Sequence, residues 1–413
     1  MRIVIATVGL GARGGVHSYL DAILGELVAL DHDVHVVAPE FGRPEAIADA
    51  GASAHTRFED VPGPVGGIIA FVDHSALEAR AAFPQAPLLA VTHGPWYAQD
   101  APAADAEPCA AVAMSDLSLA RLRGSRLVER GVPLVRLTQP AELGAPPPAA
   151  AGALPDTPRL AVAVAHRLHS RREPLLVALA DRGIAVSVLG GAEQDDDALR
   201  HIRAADIVVG IGRVVLEGMT NGRACLVLGQ IGGGAWLTPE TYPDFESAGF
   251  VFGDGLGTPP EQFGALLDDY RPELGRAGRE LALRHHAPAQ HAARLVELLR
   301  EAPAPRGPFD PNALRRQAAE LRARYEARIR ETVEGWHGAA PDRDLLVEID
   351  RLRRENADLH AIVEELRCDV QLLCDERDAA RTQVTEAYDS RSWRVTAPLR
   401  RVEELRRERR VRR

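Results

Sequence analysis

The 413-residue chain contains no lysine, so all 49 of its Lys-plus-Arg residues are arginine. That absence excludes a phosphate-loop lysine of the Walker type, a Schiff-base lysine and pyridoxal-phosphate chemistry. Cysteine is scarce: Cys109, Cys225, Cys368 and Cys374 are scattered, with no CxxC pair. A disulfide framework and a structural zinc site are therefore not expected, and a reducing compartment is. No apolar run approaches the roughly 20 residues that a membrane span needs. Met1-Arg2 leads directly into Ile3-Val4-Ile5-Ala6, a strand rather than a signal peptide, so the expected location is cytoplasmic. The formal charge of -10 gives no overall attraction to nucleic acid, which is not expected as a partner.

What is present is ordinary globular composition, 46% hydrophobic and 26% charged, over a length that suits two or three domains. Short β-rich runs at Ile3–Val8, Val34–Ala38, Ile68–Val72, Leu88–Thr92, Ala110–Met114 and Leu134–Leu137 alternate with helical patterns. Between the first two, Val16, Tyr19, Leu20, Ile23, Leu24 and Leu27 form a helical stripe. Such alternation implies parallel βαβ units. A Pro- and Ala-rich stretch follows from Gly144, where prolines without amide donors suit a linker. The pattern then restarts: Leu160–Ala165, a helix near Arg172–Asp181, Val186–Leu189, a helix near Asp195–Ala204, Ile207–Val209, a helix near Arg213–Asn221 and Leu226–Leu228.

A second proline-rich break, Ala302 to Pro311, is expected to end the globular part. A helix from about Asn312 to Glu334 comes next, interrupted from Gly335 to Pro341. From Leu345 the apolar spacing alternates 4 and 3. Leu345, Leu352, Leu359, Leu366, Leu373 and Ala380 take one heptad position; Ile349, Asn356, Val363, Val370, Arg377 and Val384 take the other. β-branched residues at a with leucine at d favour a parallel two-stranded coil, and a single Asn fixes register. Glu348 with Arg353, and Glu376 with Arg381, can pair between chains. The alternative is a long helix folded back on its own domain. The tail from Arg391 interleaves arginines with Trp393, Val395, Leu399, Val402 and Leu405, and either lies on an anionic membrane surface or is a solvated helix end.

Two glycine loops carry candidate chemistry. Gly9-Leu10-Gly11-Ala12-Arg13-Gly14 stands between a strand and a helix, yet the acidic ribose partner of a dinucleotide fold is missing at the right distance, since the second strand ends at Ala38-Pro39-Glu40. Gly14 and Gly15 are better read as a helix start whose bare amides can meet a phosphate or an acceptor oxygen, the alternative being a tight turn without ligand. The run Asp206-Ile207-Val208-Val209-Gly210-Ile211-Gly212-Arg213 then reads as strand, glycine loop and helix, with Gly210, Gly212 and Arg213 placed to approach a diphosphate. Glu217, about one turn in, can accept from both ribose hydroxyls or be a plain exposed carboxylate.

Here the sequence resembles the family-4 type of retaining glycosyltransferases with the GT-B fold. Leu216-Glu217-Gly218-Met219-Thr220-Asn221-Gly222 stands where that family has its nucleotide helix, which implies that Glu217 binds ribose. The family's earlier glutamate, eight residues before, falls on Val209, a departure that bears on donor-sugar recognition. His166-Arg167-Leu168 followed by Arg172 resembles the pair of cations that grips the donor diphosphate, with arginine in place of lysine. Val188-Leu189-Gly190-Gly191 resembles the next strand-to-glycine turn, so Gly190 joins the implied nucleotide-sugar residues. Thr92-His93-Gly94 resembles the family's mid-domain histidine, implying a catalytic role for His93 near the sugar or acceptor. Ser115-Asp116 matches a strand end near the cleft, and Trp393 to Arg400 resembles a tail of bacterial surface-polysaccharide transferases.

The expected architecture is α/β: two Rossmann-like domains facing a cleft, then an α-helical coiled coil. The boundaries are 1–143 for an acceptor-side domain, 144–158 for a linker and 159–302 for the nucleotide-sugar domain. A helical connector at 310–340, a coiled coil at 343–386 and a basic tail at 387–413 complete the chain. The implied activity is sugar transfer from a nucleoside diphosphate-sugar to a hydroxyl acceptor, with no cofactor, no metal, and retention of configuration on the family's pattern alone. The expected partners are that donor, a glycan or other hydroxyl acceptor, a second copy through 345–384, and a peripheral anionic membrane through 391–413. His285, His286 and His291, on a helix near Pro288, are not expected to hold a metal, and Asp195-Asp196-Asp197 is read as a helix cap. The alternatives are a non-catalytic GT-B scaffold on a dimeric coil and a nucleotide-sugar epimerase.

Overall fold

The computed structural model describes residues 1–10, 14–94, 102–143, 154–164, 172–189, 198–228, 234–250, 258–259 and 262–338; of residues 164, 172, 173, 198 and 328–338 it describes only the backbone. The chain divides into a compact unit, Met1–Arg328, and a second, Ile329–Arg413. The heptads at 345–384 and the basic tail lie outside the described residues.

The first unit contains two α/β halves. In the first half, the strands are Arg2–Ala6 (β1), Asp33–Val37 (β2), Ser53–His55 (β3), Gly67–Ala70 (β4), Leu88–Thr92 (β5), Ala110–Ala113 (β6) and Leu134–Arg136 (β7). The helices between them are Gly15–Ala29 (α1), Pro44–Asp49 (α2), Asp73–Ala82 (α3), Asp116–Arg123 (α4) and Arg126–Glu129 (α5). All pairings are parallel, in the order β3-β2-β1-β4-β5-β6-β7. The strands are apolar along their length because both faces of a parallel sheet are covered. Ile3, Ile5, Val36, Phe71 and Val91 pack under α1, whereas Ala6, Ile68, Ala70 and Leu88 pack against Ala76 and Leu77 of α3.

The second half has strands Leu160–Val164 (β8), Ala185–Leu189 (β9), Ile207–Gly210 (β10), Ala224–Leu228 (β11) and Gly234–Trp236 (β12). Its helices are Arg172–Ala180 (α6), Ala198–Ala204 (α7), Arg213–Thr220 (α8), Tyr242–Ser247 (α9), Phe263–Asp268 (α10), Glu273–His285 (α11) and Pro288–Arg300 (α12). The order is β12-β11-β10-β8-β9, with only β12 antiparallel among these pairings. Both sheets are doubly wound, so each reverses direction at a switch point, between β1 and β4 in the first and between β8 and β10 in the second. Ligands of such sheets sit outside the carboxyl ends of the strands at those points. The expected strands are present within a residue or two. The short β3 and β12 were not anticipated, since neither Ser53-Ala54-His55 nor Gly234-Ala235-Trp236 forms an apolar run.

Two expectations are corrected beyond α12. The break at Ala302–Pro311 does not end the globular part. The next helix, Pro311–Gly338 (α13), buries Leu314 and Ala318 against Leu77 and Ala79 of the first half. Polar contacts hold it there: Tyr325 donates to Asp73 Oδ2 at 2.6 Å, Arg322 reaches both oxygens of Glu78 at 2.6 and 2.7 Å, and Gln317 donates to Asp105 at 2.9 Å. Nor does Gly335 interrupt α13, which runs through to Gly338; one glycine costs a long helix only about 1 kcal/mol. The chain crosses back once more through α12, whose Ala292, Leu295, Val296 and Leu299 join the core under α1. Among the described residues no helix is long and apolar enough to cross a membrane.

Candidate functional site

The carboxyl end of β1 leads to the start of α1 at Gly14, which is extended at φ -155°. His17 closes this turn, donating from Nε2 to the Leu10 carbonyl (3.0 Å) and accepting the Gly14 amide on Nδ1 (3.3 Å). Neither Gly14 nor Gly15 has a positive φ, and a Cβ added at Gly14 would meet nothing within 4 Å among the described residues. With no positive φ to relieve, Gly14 serves by lacking a side chain rather than by easing strain. Beside it, an open groove runs between α1 and α2, lined by Leu10, His17, Leu20, Asp21, Phe41 and Arg43 among others.

In the second half the carboxyl end of β10 leads to Gly212, whose φ of 61° and ψ of -129° suit glycine alone. Its amide donates to the Phe250 carbonyl at 2.7 Å, fixing the entry into α8. Gly218, one residue after Glu217, lets α8 lie close on the sheet: a Cβ there would come within 2.7 Å of Cys225 Sγ.

These two helix starts meet. A Cβ on Gly15 would sit 3.6 Å from Cγ of Arg213. Arg213 donates from Nη2 to the Ser18 carbonyl at 2.7 Å and from Nη1 to the Pro140 carbonyl, while its buried Nε has no hydrogen-bond partner among the described residues. Burial holds the Arg213 guanidinium below its ordinary range, with Glu217 and Asp21 pulling the other way. Glu217 accepts the Ser18 hydroxyl on Oε1 at 2.6 Å. Glu217 is thus not a free surface carboxylate; it faces the other half.

His93 follows β5. Its ring meets Tyr19 edge-on, with centroids 4.9 Å apart, and Phe71 at 4.7 Å. Burial, then the nearby Arg213 and His291, push it down to about 3, so the imidazole is neutral at pH 7. Its buried Nε2 has no hydrogen-bond partner among the described residues. A neutral ring with an unpaired nitrogen can donate to or accept from a sugar hydroxyl, but it carries no positive charge.

Sequence reasoning did not single out the polar seam that ties this site to the segment following β7. Tyr19 pairs with His291 Nε2 at 2.7 Å, and His291 Nδ1 with the Thr138 carbonyl at 2.9 Å. In parallel, Tyr242 pairs with His286 Nε2 at 3.0 Å, and His286 Nδ1 with the Gln139 carbonyl at 2.7 Å. Each histidine donates from Nδ1 and accepts a tyrosine hydroxyl on Nε2, which requires the neutral tautomer. Burial sets both at about 4. The three histidines do not share one helix as expected: His285 ends α11 and His291 lies in α12, because Pro288 has no amide to continue α11 and instead begins a new helix. Tyr19 was legible as part of the apolar stripe; nothing local marks its hydroxyl.

Of the other expected residues, Gly210 ends β10 paired with Val227. Arg172 is the first residue of α6, with only its backbone described. Arg167 and Gly190 lie outside the described residues. Val209, where the resembled family has glutamate, is fully buried in β10 among Leu175, Leu179 and Phe263. The halves also touch at the ends of β6 and β7: Arg136 bonds Glu246 at 2.5 Å, and a Cβ on Gly249 would lie 3.0 Å from that of Ser115.

No family description matches the sequence, and no curated protein does. Several solved structures are similar in shape. The calicheamicin glycosyltransferase CalG4 is 15% identical at a TM-score of 0.41, over 73% of this chain and 98% of its own. MurG of Acinetobacter baumannii is 14% identical at 0.41, over 72% and 99%. A ugt transferase from Siraitia grosvenorii in complex with UDP is 10% identical at 0.38, over 73% and 100%. At these values neither activity nor substrate passes from them to this chain.

Proposed function

We propose that the protein is a glycosyltransferase of GT-B architecture, moving a sugar from a nucleoside diphosphate-sugar to a hydroxyl acceptor. The observation that carries this is the meeting of two glycine-started helices, one from each half, with Arg213 and Glu217 between them. A nucleoside diphosphate has the complementary parts: ribose hydroxyls for a carboxylate, and phosphate oxygens for helix-start amides and guanidinium groups.

In this reading Glu217 holds the ribose. Arg213, Arg167, Arg172 and the amides following Gly190, Gly210 and Gly212 face the diphosphate. As the bond between the anomeric carbon and the diphosphate oxygen breaks, negative charge grows on that oxygen, and these fixed donors stabilise it. The acceptor oxygen forms the new bond and gives up its proton to the departing phosphate. His93, neutral, positions a sugar or acceptor hydroxyl, and Gly14 and Gly15, lacking side chains, let the transferred group approach the start of α1. With arginines as the cations, the reaction runs without metal, and retention of configuration follows the resembled family. In this reading the heptads at 345–384 join two copies as a parallel homodimer, tested by sedimentation velocity, and the basic tail at 391–413 rests on the anionic inner face of a membrane, tested by vesicle flotation of the full chain.

A thermal-shift screen against uridine, guanosine, adenosine and thymidine diphosphate sugars tests the core reading. Stabilisation by one base, with slow hydrolysis of that donor, is the expected result. No shift with any of them removes the enzyme. Val209 favours a second reading, a nucleotide-binding but non-catalytic scaffold, because the buried strand has no carboxylate at that place. Binding without hydrolysis or transfer selects it, and sugar isomers among the products select an epimerase.

A further inference from the structure

Ser18 is assigned no role by the proposed function, yet it holds both partners that a nucleotide needs. Its hydroxyl donates to Glu217 Oε1 at 2.6 Å, and its backbone carbonyl accepts Arg213 Nη2 at 2.7 Å. It belongs to α1, in the first half, whereas Glu217 and Arg213 belong to α8, in the second. Its side chain is buried, at 7% exposure.

We propose that Ser18 is a built-in nucleotide surrogate that caps the resting cleft, and that a nucleoside diphosphate enters by replacing it group for group. The inference rests on Glu217 and Arg213 being the nucleotide residues. An aliphatic O–H on a carboxylate is the same donor that a ribose offers. A backbone carbonyl oxygen on a guanidinium N–H is a weaker version of the acceptor that a phosphate oxygen offers. A ribose ring bridging both oxygens of Glu217 is thicker than the gap that a 2.6 Å hydrogen bond leaves between that carboxylate and α1. Ring and Ser18 therefore exclude one another. When the ring enters, α1 separates from α8 at this edge, the Ser18 carbonyl leaves Arg213, and the freed Nη2–H turns to the diphosphate. Arg213 keeps its second anchor, the Pro140 carbonyl, so the guanidinium stays in place while its partner changes.

Affinity for the nucleotide is then reduced by the cost of breaking the cap. The discriminating measurement is calorimetric titration of the full-length chain with uridine, guanosine, adenosine and thymidine diphosphate, in the wild type, Ser18→Ala and Ser18→Thr. Alanine deletes the hydroxyl while suiting the helix; threonine keeps it. The expected result is about tenfold tighter binding of the preferred diphosphate by Ser18→Ala, from the loss of one charge-assisted hydrogen bond in the free state, and wild-type affinity for Ser18→Thr. Binding by Ser18→Ala alone, with a silent wild type, supports the cap more strongly. Equal or weaker binding by Ser18→Ala, beside a wild type that does bind, overturns the cap and leaves the nucleotide site standing. Silence from all three proteins with all four diphosphates removes the nucleotide site, and the cap with it.

Discussion

Tyr19 and His291 stand 272 positions apart in the chain and share a buried 2.7 Å hydrogen bond. The bond joins α1, which starts the candidate site, to α12, which returns from the second half. Through His291 Nδ1 and the Thr138 carbonyl it also reaches the segment that follows β7. Deleting the Tyr19 hydroxyl leaves a buried imidazole nitrogen without a donor. Tyr19→Phe should therefore lower unfolding stability by about 1–3 kcal/mol in urea titration, although the ring packing on His93 and Phe71 is kept. A change within experimental error would show that the nitrogen finds another partner.

Acid should loosen the same seam. His286 and His291 are held at about 4 and His93 at about 3, all by burial first. Their folded values lie below the unfolded value of about 6.5. The neutral fold thus has its full stability from these groups above about pH 6.5 and loses it as pH falls toward 4. Protonation also places imidazolium charges near Arg213. The melting temperature should drop over that window, and replacing His286 and His291 by glutamine should flatten the drop. A slope unchanged in the double variant would assign it to other groups.

Restoring the resembled family's glutamate should fail. In Val209→Glu a carboxylate enters the apolar core that Val209 shares with Leu179 and Phe263. A loss of at least about 3 kcal/mol is expected, visible as a large fall in melting temperature or soluble yield. A stable variant with faster transfer would mean that this position reaches the cleft after all.

Gly212→Ala tests the entry to α8. At φ 61° and ψ -129° any side chain is strained, at a cost of about 1–3 kcal/mol, even though a Cβ there would meet none of the described residues within 4 Å. Nucleotide binding should weaken with it, since the turn aims the amides of α8. Unchanged stability in thermal melts would show that the turn relaxes.

Arg172→Ala should weaken nucleoside diphosphate binding at least about tenfold while leaving nucleoside binding near wild type, one charge-assisted contact being lost. Equal losses for both ligands in calorimetry would refute a phosphate role.

Much of this site could be read along the chain because it depends on local chemistry. Glycines that open helices after apolar strands mark Gly14–Gly15 and Gly212 without any knowledge of the fold, and Glu217 is one helical turn further on. His93 was marked only by the resemblance of Thr92-His93-Gly94 to a family motif; its neutral state comes from burial among Tyr19, Phe71 and Arg213. Ser18 and Tyr242 gave no signal at all, and His286 stood out only as a candidate metal ligand, since each gains meaning from a partner on another element. Helix α13 misled for a related reason: a proline-rich break looks like an ending, and only the apolar face left beside α3 shows that the chain returns.

Strand and helix periods, the two glycine turns and the lysine-free set of cations were determined by the amino-acid order alone, because backbone preference and side-chain chemistry act within a few residues. Which of those pieces face one another was decided by tertiary structure. Ser18 meets Glu217, Tyr19 meets His291, and Val209 is sealed inside a sheet only once two doubly wound halves and the returning α12 are packed together. Contacts across such sequence distances follow from burying both sheets at once, and no local window of residues contains that constraint.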